Sequence, residues 1–392
     1  MSEKGYHSEK GYRMEKDSMG EIKVPVDRHW GAQTQRAIEN FTISGMTMPP
    51  EFLQALGLLK WAVSSANFDL GLLARDKSEA IGNIALKIAQ GHHLEDFPVD
   101  VFQTGSATST NMNINEVIAN LASTNNLEIH PNDDVNMGQS SNDVIPTTIH
   151  IAASIAVRNN LLDELNHLQE TLENKAASLS DIVKTGRTHL MDAMPVTFGQ
   201  ELRAWANQIK AARGQFEETL PKIEQLAIGG TAVGTGVNAH PDLSQKVVAL
   251  LKQKTGIEFQ SAPDLFKAIS SQDVALELSS NTRNLAVSLT KISNDLRWMN
   301  SGPLAGLAEI SLPMLQPGSS IMPGKVNPVI PESVAMVAAQ LICNDASISF
   351  ASLSCTSLFI TFLPVISLTF LPFSYSHLSF PSLSSLSFLA EA

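Results

Sequence analysis

The chain has 392 residues, a formal net charge of −12, 43% hydrophobic residues and 17% charged residues. This length permits two or three domains with a large core. The acidic balance argues against a nucleic-acid surface, which needs clustered Lys and Arg, but it is compatible with a local positive pocket for a small anion. The two cysteines, Cys343 and Cys355, are too few for a disulfide framework, and no Cys/His spacing typical of zinc sites occurs.

The N-terminal segment mixes Glu, Lys and Ser without an apolar core, which is typical neither of a secretory signal nor of a mitochondrial transit peptide. The pentapeptide Ser-Glu-Lys-Gly-Tyr occurs at positions 2–6 and again at 8–12. Residues 1–16 are therefore predicted to be a disordered extension. The cytoplasm is the expected location, with the mitochondrion as the alternative.

Most of the remaining chain has apolar residues at three- and four-residue steps, the pattern of amphipathic helices. Four stretches show this pattern. The first begins at Phe52, and the second lies in the proline-free run between Pro146 and Pro195. The third follows Phe198, and the fourth covers 278–296. Helices this long pack side by side, so the fold class is predicted to be mainly α, with a bundle of long helices. Strand signal is thin, and only 21–26 alternates well enough for a small hairpin.

Polar segments rich in glycine and serine separate these stripes. We expect them at helix ends, where free backbone N–H groups and the helix dipole favour anions. They are residues 103–115, 130–143, 186–201, 229–238 and 318–328.

The composition changes after about Ala346. Residues 346–390 contain no charged side chain, and Ser, Leu and Phe dominate. The apolar stretch 358–373 is divided by Pro364 and Pro372 and is short for a bilayer span, so a membrane anchor is the minor alternative. Residues 346–392 are predicted to be a low-complexity tail foreign to the fold and prone to aggregation if exposed.

The segment 318–328 has the strongest chemical signal. Its glycines permit unusual backbone angles, and Lys325 with Asn327 offers charge and a hydrogen bond to a carboxylate. A serine on such a glycine-flanked loop is able to reach a substrate when the loop closes. An ordinary surface turn is the alternative, which the combination of so many polar residues disfavours.

Two further segments carry candidate groups. His189 is an acid/base candidate near neutral pH, although a histidine beside a helix start is more often structural. The segment 139–143 precedes a predicted long helix, so its hydroxyls and amide are expected to cap that helix, to bind an anion, or both.

In combination these segments resemble the fumarase/aspartase superfamily over about residues 17–345. The resemblance rests on 105–108 with 111–113, on 140–142, on Thr188-His189 and on 318–328. Within the superfamily, 30–36, 229–236 and Gly324 resemble class II fumarases. The residues 329–332 also occur in aspartases, and Ala107 stands where many fumarases have glycine.

The resemblance implies a fumarate hydratase, which removes water from L-malate by anti elimination in the tricarboxylic acid cycle, without cofactor or metal. Ser319 is implied as the base and His189, with Thr188, as the group that handles the water. Lys325 and Asn327 are implied to stabilise the carbanion. The other implied substrate-binding residues are Ser106, Thr108, Ser140, Ser141, Asn142 and Ser320. A second dicarboxylate site is implied at His130, Asn132 and Asp133.

The resemblance also implies a homotetramer whose partner is a small dicarboxylate, with no nucleic acid and no membrane. The expected domains are an N-terminal helical lyase domain (17–139) and a central bundle (140–345). The resemblance implies that the bundle is incomplete, since a further core helix and the C-terminal domain of the family are expected to be missing. Two alternatives remain: an aspartate ammonia-lyase of the same superfamily, or a truncated product unable to assemble.

Overall fold

The computed structural model describes residues 11–322 and 324–352. It divides into two compact units, neither of which is continuous in sequence. The first unit contains the chain up to Ile155, Leu220–Leu276 and a short segment from Ser347; the second contains Ala156–Thr219 and Glu277–Ala346. The domain limits expected at 17–139 and 140–345 follow the family resemblance and stay a prediction, and the tail beyond Ser352 lies outside the described residues.

The described residues are mainly helical, as predicted. The strands are β1 (Tyr12–Asp17), β2 (Gly20–Pro25), β3 (Val183–Thr188), β4 (Met191–Thr197), β5 (Gln225–Leu226) and β6 (Gln260–Ser261). The helices are α1 (Ala32–Asn40), α2 (Pro50–Asp69), α3 (Arg75–Ala89), α4 (Thr108–Ala122), α5 (Ser141–Ala156), α6 (Leu162–Ser178), α7 (Phe198–Ile223), α8 (Leu243–Thr255), α9 (Leu265–Ser270), α10 (Asp273–Met299) and α11 (Val329–Ala351).

The hairpin predicted at 21–26 is confirmed. Its second strand, β1, lies partly in the segment that was expected to be disordered. Strand β2 pairs antiparallel with β1, so that Tyr12 lies opposite Pro25 and Asp17 opposite Gly20. Residues 12–16, predicted as part of a disordered extension, therefore form a strand. The Arg36 guanidinium donates to the Asp17 carboxylate over 2.8 Å, which ties this hairpin to α1.

Helix α2 builds the core of the first unit with the stripe that the sequence predicted. Phe52, Leu56, Leu59 and Val63 are all buried. Helix α2 packs on α3 at Gly57, where an added Cβ would lie 2.8 Å from the Ala85 carbonyl oxygen. The close approach of the two backbones therefore requires glycine at this position.

The proline-free run between Pro146 and Pro195 is not one helix. Helix α5 passes through a π-helical segment, Val157–Leu161, into α6, which ends at Ser178. Strands β3 and β4 then form an antiparallel hairpin. Its turn places both His189 (φ 52°) and Leu190 (φ 64°) in the left-handed region, and such a turn is normally recognised by Asn-Gly, which is why sequence patterns missed it.

In the second unit, α10 and α11 pack through small and branched side chains, with Ala286, Ala338 and Leu341 buried together. Buried Asp345 accepts hydrogen bonds from Ser279 (2.7 Å) and Arg283 (2.8 Å) of α10. By length and composition α11 would also suffice to cross a membrane, which is weak evidence for a single helix. Only 33% of its most apolar window is buried, on the side that carries Ala338, Leu341 and Asp345.

A buried carboxylate caps α1 from a distance. Glu116 of α4 accepts the backbone N–H groups of Gly31 (2.9 Å), Gln33 (2.9 Å) and Thr34 (3.0 Å), the free donors of the first turn of α1. Burial raises the pKa of the Glu116 carboxyl, although these backbone hydrogen bonds counteract the shift. The arrangement holds the segment before α1 against α4.

Replacing Glu116 by glutamine is expected to lower the free energy of unfolding by about 2–3 kcal/mol, because an amide N–H₂ group would then face backbone donors. Thermal and urea unfolding measure this change. The matched variant Glu51→Gln alters an exposed carboxylate in the first turn of α2 and should shift stability by less than about 0.5 kcal/mol. Equal losses in both variants would contradict the capping role.

Candidate active site

In the first unit, the loop before α4 carries Ser106 and Thr108. Their hydroxyls are 2.8 Å apart and form a hydrogen bond, and Thr108 is the first residue of the helix. Between them Ala107 is buried in the left-handed region at φ 48°. A β-carbon costs about 1–2 kcal/mol in that conformation, which explains why glycine suits this position. The two hydroxyls and the N-terminus of α4 form a polar, partly exposed surface.

The segment Ser140-Ser141-Asn142 begins α5 and acts as a cap, as predicted. The Ser140 hydroxyl accepts the backbone N–H of Asn142 (3.2 Å), and the Ser141 hydroxyl accepts from the Asn111 amide (3.2 Å). The Asn142 amide donates to the Ala232 carbonyl (2.8 Å) in the glycine-rich segment 229–236. Two segments that sequence analysis noted separately, 140–142 and 229–236, therefore lie against each other, and Asn111 of a third segment joins them.

Lys60 is buried below this cluster and makes hydrogen bonds to the segment that precedes α5. The sequence patterns did not predict a role for it. Its fully buried ammonium donates to the side chains of Asn136 (3.1 Å) and Gln139 (2.9 Å), and Asn136 also accepts from Asn111 (3.2 Å). Burial lowers the pKa of Lys60 to about 7. The sequence feature that could have indicated this buried lysine is its position in the middle of the apolar stripe of α2.

Asp143 is the buried acidic counterpart of Lys60. Its carboxylate accepts the backbone N–H groups of Ser140 (2.9 Å), Thr231 (2.9 Å) and Gly229 (3.1 Å). Burial raises the pKa of Asp143 to about 6, although these hydrogen bonds and the Lys60 charge oppose the shift. Asp143 thus holds the 229–231 backbone against the start of α5.

The residues predicted for a second dicarboxylate site lie around a short π-helical segment, Pro131–Val135. His130 and Asp133 are neighbours, since the His130 ring accepts the backbone N–H of Asp133 (3.1 Å) and lies 3.2 Å from its carboxylate. Asn132 is exposed, as are His130 and Asp133. This surface is open to solvent.

In the second unit, Thr188 and His189 lie exposed at the tip of the β3–β4 hairpin. The hairpin is anchored lower down, where Lys184 contacts Glu201 (2.6 Å) and Glu309 (3.4 Å), and Arg187 forms a two-pronged ion pair with Glu309. Burial alone would raise the pKa of Glu309, but the Arg187 hydrogen bonds and the Lys184 charge outweigh it and lower that pKa. These charges stiffen the hairpin that presents His189.

The segment 318–328, also in the second unit, closes on itself. The Gly318 N–H donates to the Lys325 carbonyl (2.9 Å), and the Asn327 amide donates to the Gly318 carbonyl (3.4 Å). An added Cβ on Gly318 would lie 2.7 Å from the Lys325 carbonyl oxygen, so the closure requires glycine. It brings Ser319 into one loop with Lys325 and Asn327, and Lys325 and Ser320 are exposed.

Replacing Lys60 by methionine tests its buried charge. Because the folded pKa of about 7 lies below the ordinary 10.5, the unfolded chain binds more protons between these values. The stability of the wild type relative to Lys60→Met should therefore be lowest below about pH 7 and rise above it, by at most about 1.4 kcal/mol per pH unit. Unfolding curves at about pH 6.5 and 9 measure the slope. The control Lys246→Met, at an exposed position of α8, should show none, and the same slope in both would contradict the assignment.

Comparison with known proteins identifies the family. The model of the lyase family matches residues 20–343. A class II fumarate hydratase of Xylella fastidiosa is 55% identical over 344 residues, which cover 88% of this chain and 73% of the relative. A class II fumarate hydratase of Mycobacterium tuberculosis is 56% identical over 340 residues, covering 86% and 72%.

Solved structures agree with these sequence relatives. The class II fumarase of Schistosoma mansoni superposes with a TM-score of 0.88 at 37% identity, covering 92% of this chain and 80% of that one. A fumarate lyase:delta crystallin of Brucella melitensis, bound to cobalt, gives 0.85 at 40% identity, covering 92% and 81%. The chain therefore belongs to the lyase family, and within it to the class II fumarases of the fumarase/aspartase superfamily.

Proposed function

We propose that this chain is a fumarate hydratase, which interconverts L-malate and fumarate by anti elimination and addition of water. The observation that carries the proposal is the closed loop 318–328, with Ser319, Lys325 and Asn327 together, in a chain more than half identical to class II fumarate hydratases. The substrate class is a small dicarboxylate, in keeping with those relatives.

Ser319 is proposed as the base that removes the proton from C3 of malate. A serine alkoxide needs hydrogen-bond donors and positive charge to lower its pKa. The Ser319 hydroxyl already accepts the backbone N–H of Ile321 (3.3 Å), and the Lys325 charge lies on the same closed loop. The carbanion left behind delocalises into the adjacent carboxylate, which the ammonium of Lys325 and the amide of Asn327 would stabilise.

The substrate carboxylates are proposed to bind at the starts of α4 and α5. Ser106, Thr108, Ser140, Ser141 and Asn142 supply hydroxyl and amide donors there, and helix N-termini favour anions. Lys60 and Asp143 then act as positioning residues, because they hold Asn136, Gln139 and the 229–231 backbone around these groups.

His189 and Thr188 are proposed to handle the water that leaves or adds. Histidine is suited to this because its ordinary pKa lies near neutrality. The exposed hairpin tip leaves both side chains accessible to an incoming substrate or chain. His130, Asn132 and Asp133 are proposed to bind a second dicarboxylate on the open surface of the π-helical segment.

A homotetramer in the cytoplasm completes the proposal. Large apolar side chains are exposed on α10 and α11, which supports their burial against further copies. They are Val287 (55% exposed), Trp298 (58%), Met336 (68%) and Phe350 (71%).

The purified chain should convert L-malate to fumarate, seen as rising ultraviolet absorbance, and leave L-aspartate unchanged. Ammonia release from aspartate would instead assign an ammonia-lyase. Silence with both substrates, together with a sedimentation profile lacking a tetramer, would support a truncated product unable to assemble.

Replacing Ser319 by alanine should lower kcat for malate by about 10²–10⁴-fold, the range lost with a general base, while KM changes little. The control Ser311→Ala alters an exposed serine outside the 318–328 loop and should retain wild-type turnover. A Ser319→Ala variant with wild-type kcat would remove Ser319 from the proposed mechanism.

A further inference from the structure

A cluster of two imidazoles and one carboxylate lies in the first unit, among residues that the proposed reaction does not use. Nδ1 of His29 is 2.7 Å from Oδ2 of Asp96, and Nδ1 of His93 is 3.9 Å from the same oxygen. One candidate ligand atom from each of the three residues lies within 4.8 Å of the others. The rings of His29 and His93 meet edge to face, with their centroids 5.7 Å apart.

Hydrogen bonds fix the backbone at His29 and Asp96. Asp96 accepts the backbone N–H of His29 (3.0 Å) through its second carboxylate oxygen. From α4, the Asn113 amide donates to the Asp96 carbonyl (2.9 Å), and the Asn120 amide donates to the His29 carbonyl (2.8 Å). His93 adopts a left-handed conformation (φ 62°) at the start of a 3₁₀ turn, which brings its ring to the same carboxylate.

The burial pattern suits a cation with one side open to water. The Asp96 side chain is only 1% exposed, whereas those of His93 and His29 are 26% and 42% exposed. Among the ion pairs of residues 11–322 and 324–352, the partners of Asp96 are these two histidines. A buried carboxylate is costly without a positive partner, so Asp96 with the nitrogen atoms of the two imidazole rings offers a site for a cation.

We propose that His29, His93 and Asp96 bind a divalent transition metal ion of the Zn²⁺ or Co²⁺ class, with water as the fourth ligand. Two imidazole nitrogens and one carboxylate oxygen are a common ligand set for such ions, whereas Mg²⁺ and Ca²⁺ prefer oxygen ligands. Around a tetrahedral ion, ligand atoms lie about 3.3 Å apart, and the two distances to Asp96 bracket this value. A small rotation of the His93 ring would complete the site.

The bound ion would join the segment before α1 to the turn after α3. His29 precedes α1 and His93 follows α3, so the ion would cross-link two segments that are distant in sequence. The role is stabilising rather than catalytic. Because it requires no turnover, the inference stands or falls independently of the hydratase proposal.

The full chain, stripped with a chelator and desalted, should bind one Co²⁺ per chain with the intense visible absorption bands of a tetrahedral ion. Zn²⁺ should displace the cobalt and raise the thermal midpoint of unfolding. Millimolar Mg²⁺ should do neither. Cobalt spectra typical of a hexahydrated ion, or binding too weak to saturate, would overturn the proposal.

The variants His29→Gln and His93→Gln should each weaken Co²⁺ binding at least about 100-fold and abolish the rise in thermal midpoint. The matched control is His240→Gln. His240 also lies beside an aspartate, with its Nδ1 3.9 Å from the Asp242 carboxylate. Among the described residues, this pair is not part of a group of three potential metal ligands. His240→Gln should bind Co²⁺ like the wild type. Unchanged binding in His29→Gln and His93→Gln, with metal-free variants that remain folded by circular dichroism, would contradict the site.

Discussion

The candidate substrate-binding surface of the first unit depends on a buried cation and a buried carboxylate. Lys60 of α2 is buried against the polar segment before α5, and its ammonium group donates hydrogen bonds to Asn136 and Gln139. The Asp143 carboxylate accepts hydrogen bonds from the backbone N–H groups of Ser140, Gly229 and Thr231. Neither group is stable in an apolar interior unless these partners are in place, so the charges specify one arrangement of the loops around them.

In the second unit, a close approach that only glycine tolerates and a set of ion pairs position the candidate groups. Gly318 lets the two ends of the 318–328 loop meet, and the ion pairs of Lys184 and Arg187 with Glu309 stiffen the hairpin that carries His189. His189 is thus exposed and Ser319 is half-buried, while Lys184 and Glu309, which hold the hairpin in place, are largely buried. Exposure makes reaction with substrate possible, and the supporting contacts make it specific.

The second unit contains an apolar cavity. An apolar cavity of about 110 Å³ lies between α6, α10 and the start of α11, lined by Leu165, Leu172, Leu289 and Val334 among others. The curated relatives are longer, since this chain covers 73% of the Xylella fastidiosa enzyme. Apolar area left in contact with water costs about 25 cal/mol per Å², so packing another apolar surface onto this cavity would stabilise the unit.

The sequence by itself determined the helical class, the α2 stripe from Phe52 to Val63, the caps at Ser140 and the family, because periodicity, capping and motif chemistry are local. It failed at β1 and at the β3–β4 hairpin, where pairing partners and a left-handed His189-Leu190 turn override local preference. Only the tertiary structure decided that Lys60 lies under Asn136, and that His29 meets His93 and Asp96 across more than sixty residues of chain. Such long-range contacts depend on packing, which no local pattern encodes.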